Sequence, residues 1–379
     1  MCVSVSFKNI VGLIKRLLPT EFKYDIKYMI FRLGFGRTGK LLKENRELFA
    51  DCSEAMYQMA AAGRNMVDYI DSYKSKTVKT IKLLNIPLNK NEPILLCAVK
   101  DDLVRVRAQV EYHRKIGIRH FAYIDNMSTD GTFEWLENQE DVSLFRVNEK
   151  FNSDRRNSWR RQVADVLGYE KWYLVVDSDE FFTYPGIESS AIDKYMFFLE
   201  KKKINSVFSI MLDMYSKNSL FKSSSTIEND FMKEYCYFDA DTYKVQKARN
   251  MWLVNGGPRA RIFPSNTLLT KYPLIKLSKS MIIGTHSNYF VNPNFDTSLP
   301  IAFLLHYKFL SHDNSIFEER IKSGVYFGGS AEYKTYKEVY SKKPELSFYY
   351  EDSQKLNDSM DLMKINIVNK KFFDGFFAE

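Results

Sequence analysis

Cysteine is scarce in this 379-residue chain: Cys2, Cys52, Cys97 and Cys236 are scattered, with none of the paired spacings that a zinc site or a disulfide framework requires. A reducing cytosol is the setting this implies. No apolar run reaches the roughly 18 residues of a membrane-spanning helix. The N-terminus also lacks the apolar core and cleavage site of a secretory signal, so an enzyme anchored by a helix of its own is not expected. Histidine is rare too, with five in all. Internal repeats and low-complexity segments are absent. The length suffices for a core domain of roughly 200 to 250 residues with extensions.

What is present is concentrated at the ends of three apolar runs. Pro93 to Val99 reads as a strand ending in Lys100-Asp101-Asp102, followed by a helical pattern through Leu103, Val106, Val110, Tyr112 and Ile116 that Gly117 closes. A second strand, His120 to Ile124, ends in Asp125-Asn126-Met127-Ser128-Thr129-Asp130-Gly131-Thr132 and leads into another helix. A third, Trp172 to Val176, ends in Asp177-Ser178-Asp179-Glu180. Alternation of strand and helix predicts a parallel sheet, and open sheets of this kind collect ligands beyond the carboxyl ends of their strands. Side chains at i and i+2 of a strand share a face. Asp177 and Asp179 therefore converge on one hard cation, Mg²⁺ or Mn²⁺, if extended geometry persists past Val176. Alone, the segment also reads as a solvated turn after a buried strand.

In this order, the Lys-Asp-Asp strand end, Glu111-Tyr112-His113 with Gly117, the Asp125-to-Thr132 run and Trp172 with Asp177-Ser178-Asp179-Glu180-Phe181 resemble the family-2-like glycosyltransferases of the GT-A fold. The closest likeness is to the branch whose first strand ends in Lys-Asn-Glu, from which Asp101-Asp102 departs. It covers roughly residues 91 to 310, and implies a Rossmann-like, nucleotide-sugar-binding mixed α/β sheet flanked by helices. By this resemblance Asp125, with Asp130 close by, contacts the base or ribose of a nucleoside diphosphate sugar, a UDP-sugar first of all, beside Lys100 and Asp102. Asp177 and Asp179 would hold the sugar and a divalent metal, Mn²⁺ or Mg²⁺, that stabilises the departing diphosphate. Arg156 and Asn157, within a segment holding four arginines in seven positions, occupy the place of an Arg-Asn pair that contacts donor phosphates in similar enzymes. A basic outer helix face is the other reading.

Ser206 to Leu212 reads as a further strand, and an inverting transferase needs a carboxylate to take a proton from the acceptor hydroxyl. Asp213 is the candidate base, with Asp239, Asp241 and Glu180 as competitors. Gly256-Gly257-Pro258-Arg259 is similar to a Gly-Gly-x-Arg element of the same branch, so Gly257 and Arg259 are candidate acceptor contacts; a plain tight turn is the alternative. Enzymes of this likeness use a late histidine to complete the metal shell. His286 is the expected ligand, with His306 and Lys308 near the phosphates or the acceptor.

Three regions follow: a helical N-terminal extension (1–90), a GT-A domain (91–310) and a mainly helical C-terminal extension (311–379). Phe7, Ile10, Val11, Ile14, Leu17 and Leu18 recur at helical spacing, and residues 1–50 hold ten Lys or Arg against four Asp or Glu. Such a helix lies on an anionic membrane surface, packs on its own protein or joins a second copy. Met56, Met59, Ala60 and Met66 read as core or oligomer contacts in a helical pattern running to about Leu84. The aromatic tail Phe372-Phe373-Asp374-Gly375-Phe376-Phe377 leaves membrane, partner and self-packing open. Net charge is +8, yet nucleic acid is not an expected partner, because the one basic stripe lies between acidic motifs that repel a phosphate backbone. The resulting expectation is a metal-dependent, inverting glycosyltransferase acting on a glycan or lipid-linked acceptor. Its expected place is the cytoplasm or the inner face of a bacterial membrane, in capsule or lipopolysaccharide synthesis. A haloacid-dehalogenase-type phosphatase using Asp177 and Asp179, and a non-catalytic sugar-binding scaffold, are the rival classes.

Overall fold

The computed structural model describes residues 20–85, 92–189, 192–220, 231–248, 251–264, 267–284, 286, 288–289, 299–310, 313–324 and 327–379. Among the described residues four α-helices come first: α1 (Thr20–Arg32), α2 (Gly36–Glu44), α3 (Ser53–Ala61) and α4 (Met66–Lys74). Their apolar faces close on a core of their own, in which Phe49, Met56, Met59, Met66 and Tyr69 are buried with Ile282 from the body of the protein. The methionines are therefore core residues, whereas the Phe7–Leu18 stretch lies outside the described residues.

Strand β1 (Val78–Lys82) follows, where the helical pattern was expected to continue to Leu84. Val78, Thr80 and Ile81 are β-branched and favour extended backbone, and the strand finds an edge to pair with, Val78 lying opposite Val147. Next come β2 (Ile94–Val99), α5 (Leu103–Lys115), β3 (His120–Asp125), α6 (Thr132–Glu137), β4 (Val142–Val147), α7 (Ser153–Leu167) and β5 (Lys171–Val176). The chain continues through β6 (Glu180–Thr183), α8 (Ile192–Lys201), β7 (Ser209–Asp213), α9 (Phe231–Glu234), β8 (Tyr237–Phe238), β9 (Lys244–Ala248) and β10 (Met251–Asn255). After these lie α10 (Gly257–Ile262), β11 (Thr270–Lys271), β12 (Leu274–Leu277), β13 (Ala302–His306), α11 (Asp313–Ser323), α12 (Phe327–Lys342), β14 (Gln354–Lys355) and α13 (Lys370–Phe377).

The central sheet has the order β1-β4-β3-β2-β5-β12. Its four inner strands are parallel and both edges are antiparallel, so this is a mixed, helix-flanked α/β sheet of the expected class. A second sheet, β11-β7-β13-β6, is joined to it through the turn between β5 and β6. Strand β5 is buried on both faces, as its unbroken apolar run requires. Trp172, Leu174 and Val176 enter the large core shared with the second sheet. Tyr173 and Val175 pack with Trp159 and Val163 of α7. The aromatic tail packs on its own chain: Phe376 meets Tyr195 and Phe198 of α8 edge-on, and Phe373 is fully buried. Among the described residues, no helix is long and apolar enough to cross a membrane.

Candidate functional site at the joint between the sheets

Asp177, Ser178 and Asp179 lie in the joint, and extended geometry ends there. The Glu180 amide donates to the Asp177 carbonyl at 3.0 Å, closing a tight turn. The two carboxylates consequently point to different partners, where continuous strand geometry would have kept them on one face. Helix α5 holds the turn: the buried Gln109 amide donates to the Asp177 carbonyl at 2.7 Å and the Glu180 carbonyl at 2.9 Å. One helical turn on, His113 accepts the Phe182 amide at 3.2 Å. Gln109 has no motif around it to reveal this role.

Asp177 faces cations. Its Oδ1 accepts from Arg156 at 2.8 Å and Arg160 at 3.0 Å, and its Oδ2 lies 3.4 Å from the Lys271 ammonium. Burial alone would raise this carboxyl, but Arg156, Lys271 and Arg160 outweigh it and hold the group well below the usual range. Lys271 also reaches Glu180 at 2.8 Å. Burial and the neighbouring Arg156 push the Arg160 guanidinium down to about 10. A lone lysine in the apolar stretch Leu268-Leu269-Thr270-Lys271-Tyr272 was the available signal for Lys271, because a buried amine demands a partner.

Asp179 turns the other way, to His306. The registers of β13 explain the meeting: His306 stands opposite Asp213 across a parallel pair and opposite Glu180 across an antiparallel one. Residues directly opposite in neighbouring strands share a face. His306 Nε2 lies 3.4 Å from Asp179 and Nδ1 2.6 Å from Asp213. Asp213 in turn receives Arg259 Nε at 2.7 Å, and Arg259 reaches Glu332 of α12 at 3.0 Å. Glu332 closes the row by meeting Lys308 at 3.4 Å. Burial disfavours the charged imidazole, but Asp179 and Asp213 raise His306 above its ordinary value. Asp213 is held low by Arg259 and His306 against the same burial. With both oxygens engaged and 1 % exposure, Asp213 is placed to orient His306 rather than to reach an acceptor hydroxyl. Glu332 sits in a helix without a motif and was not legible.

Asp179, Glu180 and His306 each offer a ligand atom within 4.8 Å of the others. Carboxylate oxygen with imidazole nitrogen is a donor set for Mn²⁺ or a similar divalent ion. The Nδ1 contact to Asp213 leaves His306 Nε2 on the Asp179 side, the arrangement of a carboxylate-supported ligand. Glu180 is also committed to Lys271 and to the Asp177 amide, so Asp179 and His306 fit the ion best. His286 lies outside this group: its Nδ1 meets the Thr270 carbonyl at 3.0 Å, and burial followed by Lys271 pushes it down to about 3.

The first strand end reaches the same joint. Ser178 Oγ donates to Asp102 at 2.5 Å, and Arg105 spans from Asp102 to the Tyr307 carbonyl. Asp125, fully buried, accepts the Ser128 amide at 3.1 Å and pairs with Arg146 at 3.3 Å. Asp130 caps α5 by accepting the Leu103 amide at 3.0 Å, and Lys100 donates to the Asn126 and Met127 carbonyls. These contacts fasten the two loops to each other. Asn157 differs: it is fully buried on α7, and neither amide atom has a hydrogen-bond partner among the described residues. Gly257 takes a left-handed φ of +72° at the start of α10, as its place before Arg259 in a close turn requires.

No protein-family model and no curated protein matches the chain. Among solved structures it is similar to the mannosyltransferase PcManGT from Pyrobaculum calidifontis in complex with GDP-Man and Mn²⁺, at 12% identity over 39% of this chain and 43% of that one, TM-score 0.24. HddC from Yersinia pseudotuberculosis complexed with GMP-PN aligns at 12% identity over 49% of this chain and 77% of that one, TM-score 0.26. A 4-diphosphocytidyl-2C-methyl-D-erythritol synthase aligns at 11% identity, over 36% and 66% of the two chains, TM-score 0.23.

Proposed function

We propose that the chain is a metal-dependent glycosyltransferase that takes a sugar from a nucleoside diphosphate donor. The carrying observation is the joint itself: the turn after β5 sets Asp179 beside His306 and Glu180 within 4.8 Å, while Asp177 stands among Arg156, Arg160 and Lys271. A cation site and a basic wall side by side suit a diphosphate, whose charge both can share. Asp179 and His306 would hold the ion, Mn²⁺ or Mg²⁺. When bound, such an ion neutralises charge that builds on a leaving diphosphate.

The chain's own residues supply the rest. Asp213 keeps the His306 ring in place through Nδ1. Arg156 and Arg160 hold Asp177 ionised, and the Asn157 amide beside Arg156 on α7, fully buried and without a partner among the described residues, would reach a bound donor only if that wall opens to admit it. Lys100, Asp102, Asp125 and Asp130 shape the loops where base and ribose would sit. Arg259 and Lys308 brace the row of Asp213 and His306 from behind through Glu332, and a glycan or lipid-linked molecule is the proposed acceptor. A phosphatase reading needs Asp177 as a nucleophile, yet three cations already occupy its oxygens.

Calorimetric titration with UDP, GDP and CMP, in Mn²⁺ and then in EDTA, tests the proposal. Micromolar binding of one nucleotide that disappears with EDTA supports it and names the donor class. Absence of binding to all three, with phosphatase activity present, refutes it.

A further inference from the structure

Exposed apolar side chains gather at the corner between α1 and α2. Leu33 is 70% exposed and Met29 55%, and Phe35 lies beside them at the surface. The corner is a built projection: Gly34 and Gly36 take left-handed φ values of +79° and +72° to turn the chain. Helix α2 supports it from below. A Cβ placed on Gly39 would come within 2.8 Å of the Gly34 backbone, so the helix and the turn meet backbone to backbone. Leu42, one turn further along α2, is buried in the N-terminal core and anchors that support.

Charge around this tip is predominantly positive. Between Lys27 and Glu47, the exposed charged residues are Lys27, Arg32, Arg37, Lys40, Lys43 and Arg46 against Glu44 and Glu47. Arg37, Lys40 and Lys43 recur every third residue and so form a stripe along one side of α2. The stripe adjoins the tip, because a Cβ on Gly34 would meet the Lys43 side chain at 3.4 Å. Arg32 has a carboxylate nearby, Glu54 at 3.6 Å; Arg37, Lys40, Lys43 and Arg46 enter no ion pair among the described residues. A second copy of the chain would bring the same six cations against their own kind. An anionic lipid surface complements both features at once, accepting apolar side chains below the headgroups and cations at the phosphates.

We propose that the α1–α2 corner is a docking surface for anionic membrane, with Leu33 and Met29 entering the interface and Arg37, Lys40, Lys43 and Arg46 meeting lipid phosphates. This surface stands independently of the chemistry at the joint.

The test is co-sedimentation of the full chain with phosphatidylcholine vesicles, with and without about 30 mol% phosphatidylglycerol, a content that gives a clear surface potential. Binding to the anionic vesicles alone is expected, falling as salt is raised from about 0.1 to 0.5 M and the charges are screened. Lys40→Glu/Lys43→Glu, which removes two cations worth on the order of one kcal/mol each, and Met29→Ser/Leu33→Ser, which removes the apolar area that enters the interface, should each weaken binding at least about tenfold. Circular dichroism and an unchanged urea unfolding midpoint would show that both variants are folded. Three results overturn the proposal: no binding of the wild type to anionic vesicles, equal binding to neutral ones, or variants that bind as the wild type does. Light scattering that finds a dimer dissolved by Met29→Ser/Leu33→Ser, without vesicle binding, assigns the corner to self-association and also overturns it.

Discussion

Protonating His113 should loosen the turn that carries Asp177 and Asp179. The ring is fully buried in α5, stacked on Phe181, and its two nitrogens have fixed and opposite roles. Nδ1 lies 2.7 Å from the Gln109 carbonyl and must donate, while Nε2 accepts the Phe182 amide at 3.2 Å. A second proton on Nε2 would set two donors against each other. Burial pushes this imidazole down from 6.5 to about 4. The unfolded chain therefore binds more protons between those values, and stability rises with pH across the window and falls as pH is lowered through it. At 1.36 kcal/mol per unit, His113 accounts for about 2 kcal/mol of lost stability at pH 5 and about 3 kcal/mol at pH 4.

His120 and His286 are also held low, to about 4 and about 3, so the wild-type curve alone does not isolate His113. His113→Gln keeps an acceptor within reach of the Phe182 amide and does not titrate. Urea unfolding of both proteins at pH 7, 6, 5 and 4 gives the difference curve. Expected is a variant weaker than the wild type at pH 7, with the gap closing by about 2 kcal/mol near pH 5. A gap that stays constant across the series would refute the reasoning, because it would mean that the buried ring does not resist protonation.

Asp179→Ala should abolish divalent-dependent nucleotide binding in calorimetry; retention of Mn²⁺-dependent binding would remove Asp179 from the cation site. Asp213→Asn should weaken that Mn²⁺ dependence without ending nucleotide binding, as expected of a group acting through His306, and His306→Ala should lose it entirely. Lys271→Met leaves Asp177 and Glu180 buried without their shared ammonium, so denaturant unfolding should show a loss of about 3 to 5 kcal/mol; a loss below about 1 kcal/mol would show that the pair is solvated. Asn157→Ala should scarcely change stability, since no hydrogen bond is lost, but should weaken nucleotide binding about tenfold, the worth of a hydrogen bond or two.

The apolar runs and strand-end acids were legible because both obey local rules. A strand buried on two faces must be continuously apolar, and the residues after it are the first that solvent or a ligand can reach. Those rules located Asp102, Asp125, Asp177 and Asp179 at the carboxyl ends of the parallel strands β2, β3 and β5. They failed at the next step, because the direction of a carboxylate depends on whether the backbone stays extended. The Glu180 amide closing on Asp177 sends Asp179 toward His306 and leaves Asp177 to the arginines. What decides this is Gln109, whose amide holds both ends of the turn from 68 and 71 residues away in sequence. Cross-strand register was equally hidden. His306, Asp213 and Glu180 form one row through two pairings between segments more than ninety residues apart in sequence. No spacing rule reaches that far, and an imidazole beside two carboxylates could be read only once β13 was seen between β6 and β7. The same reasoning gives Glu332 its place: a carboxylate on a helix without a motif satisfies Arg259 and Lys308, two buried cations that would otherwise face each other across the row. Buried charge of one sign therefore predicts its partner's existence though not its address.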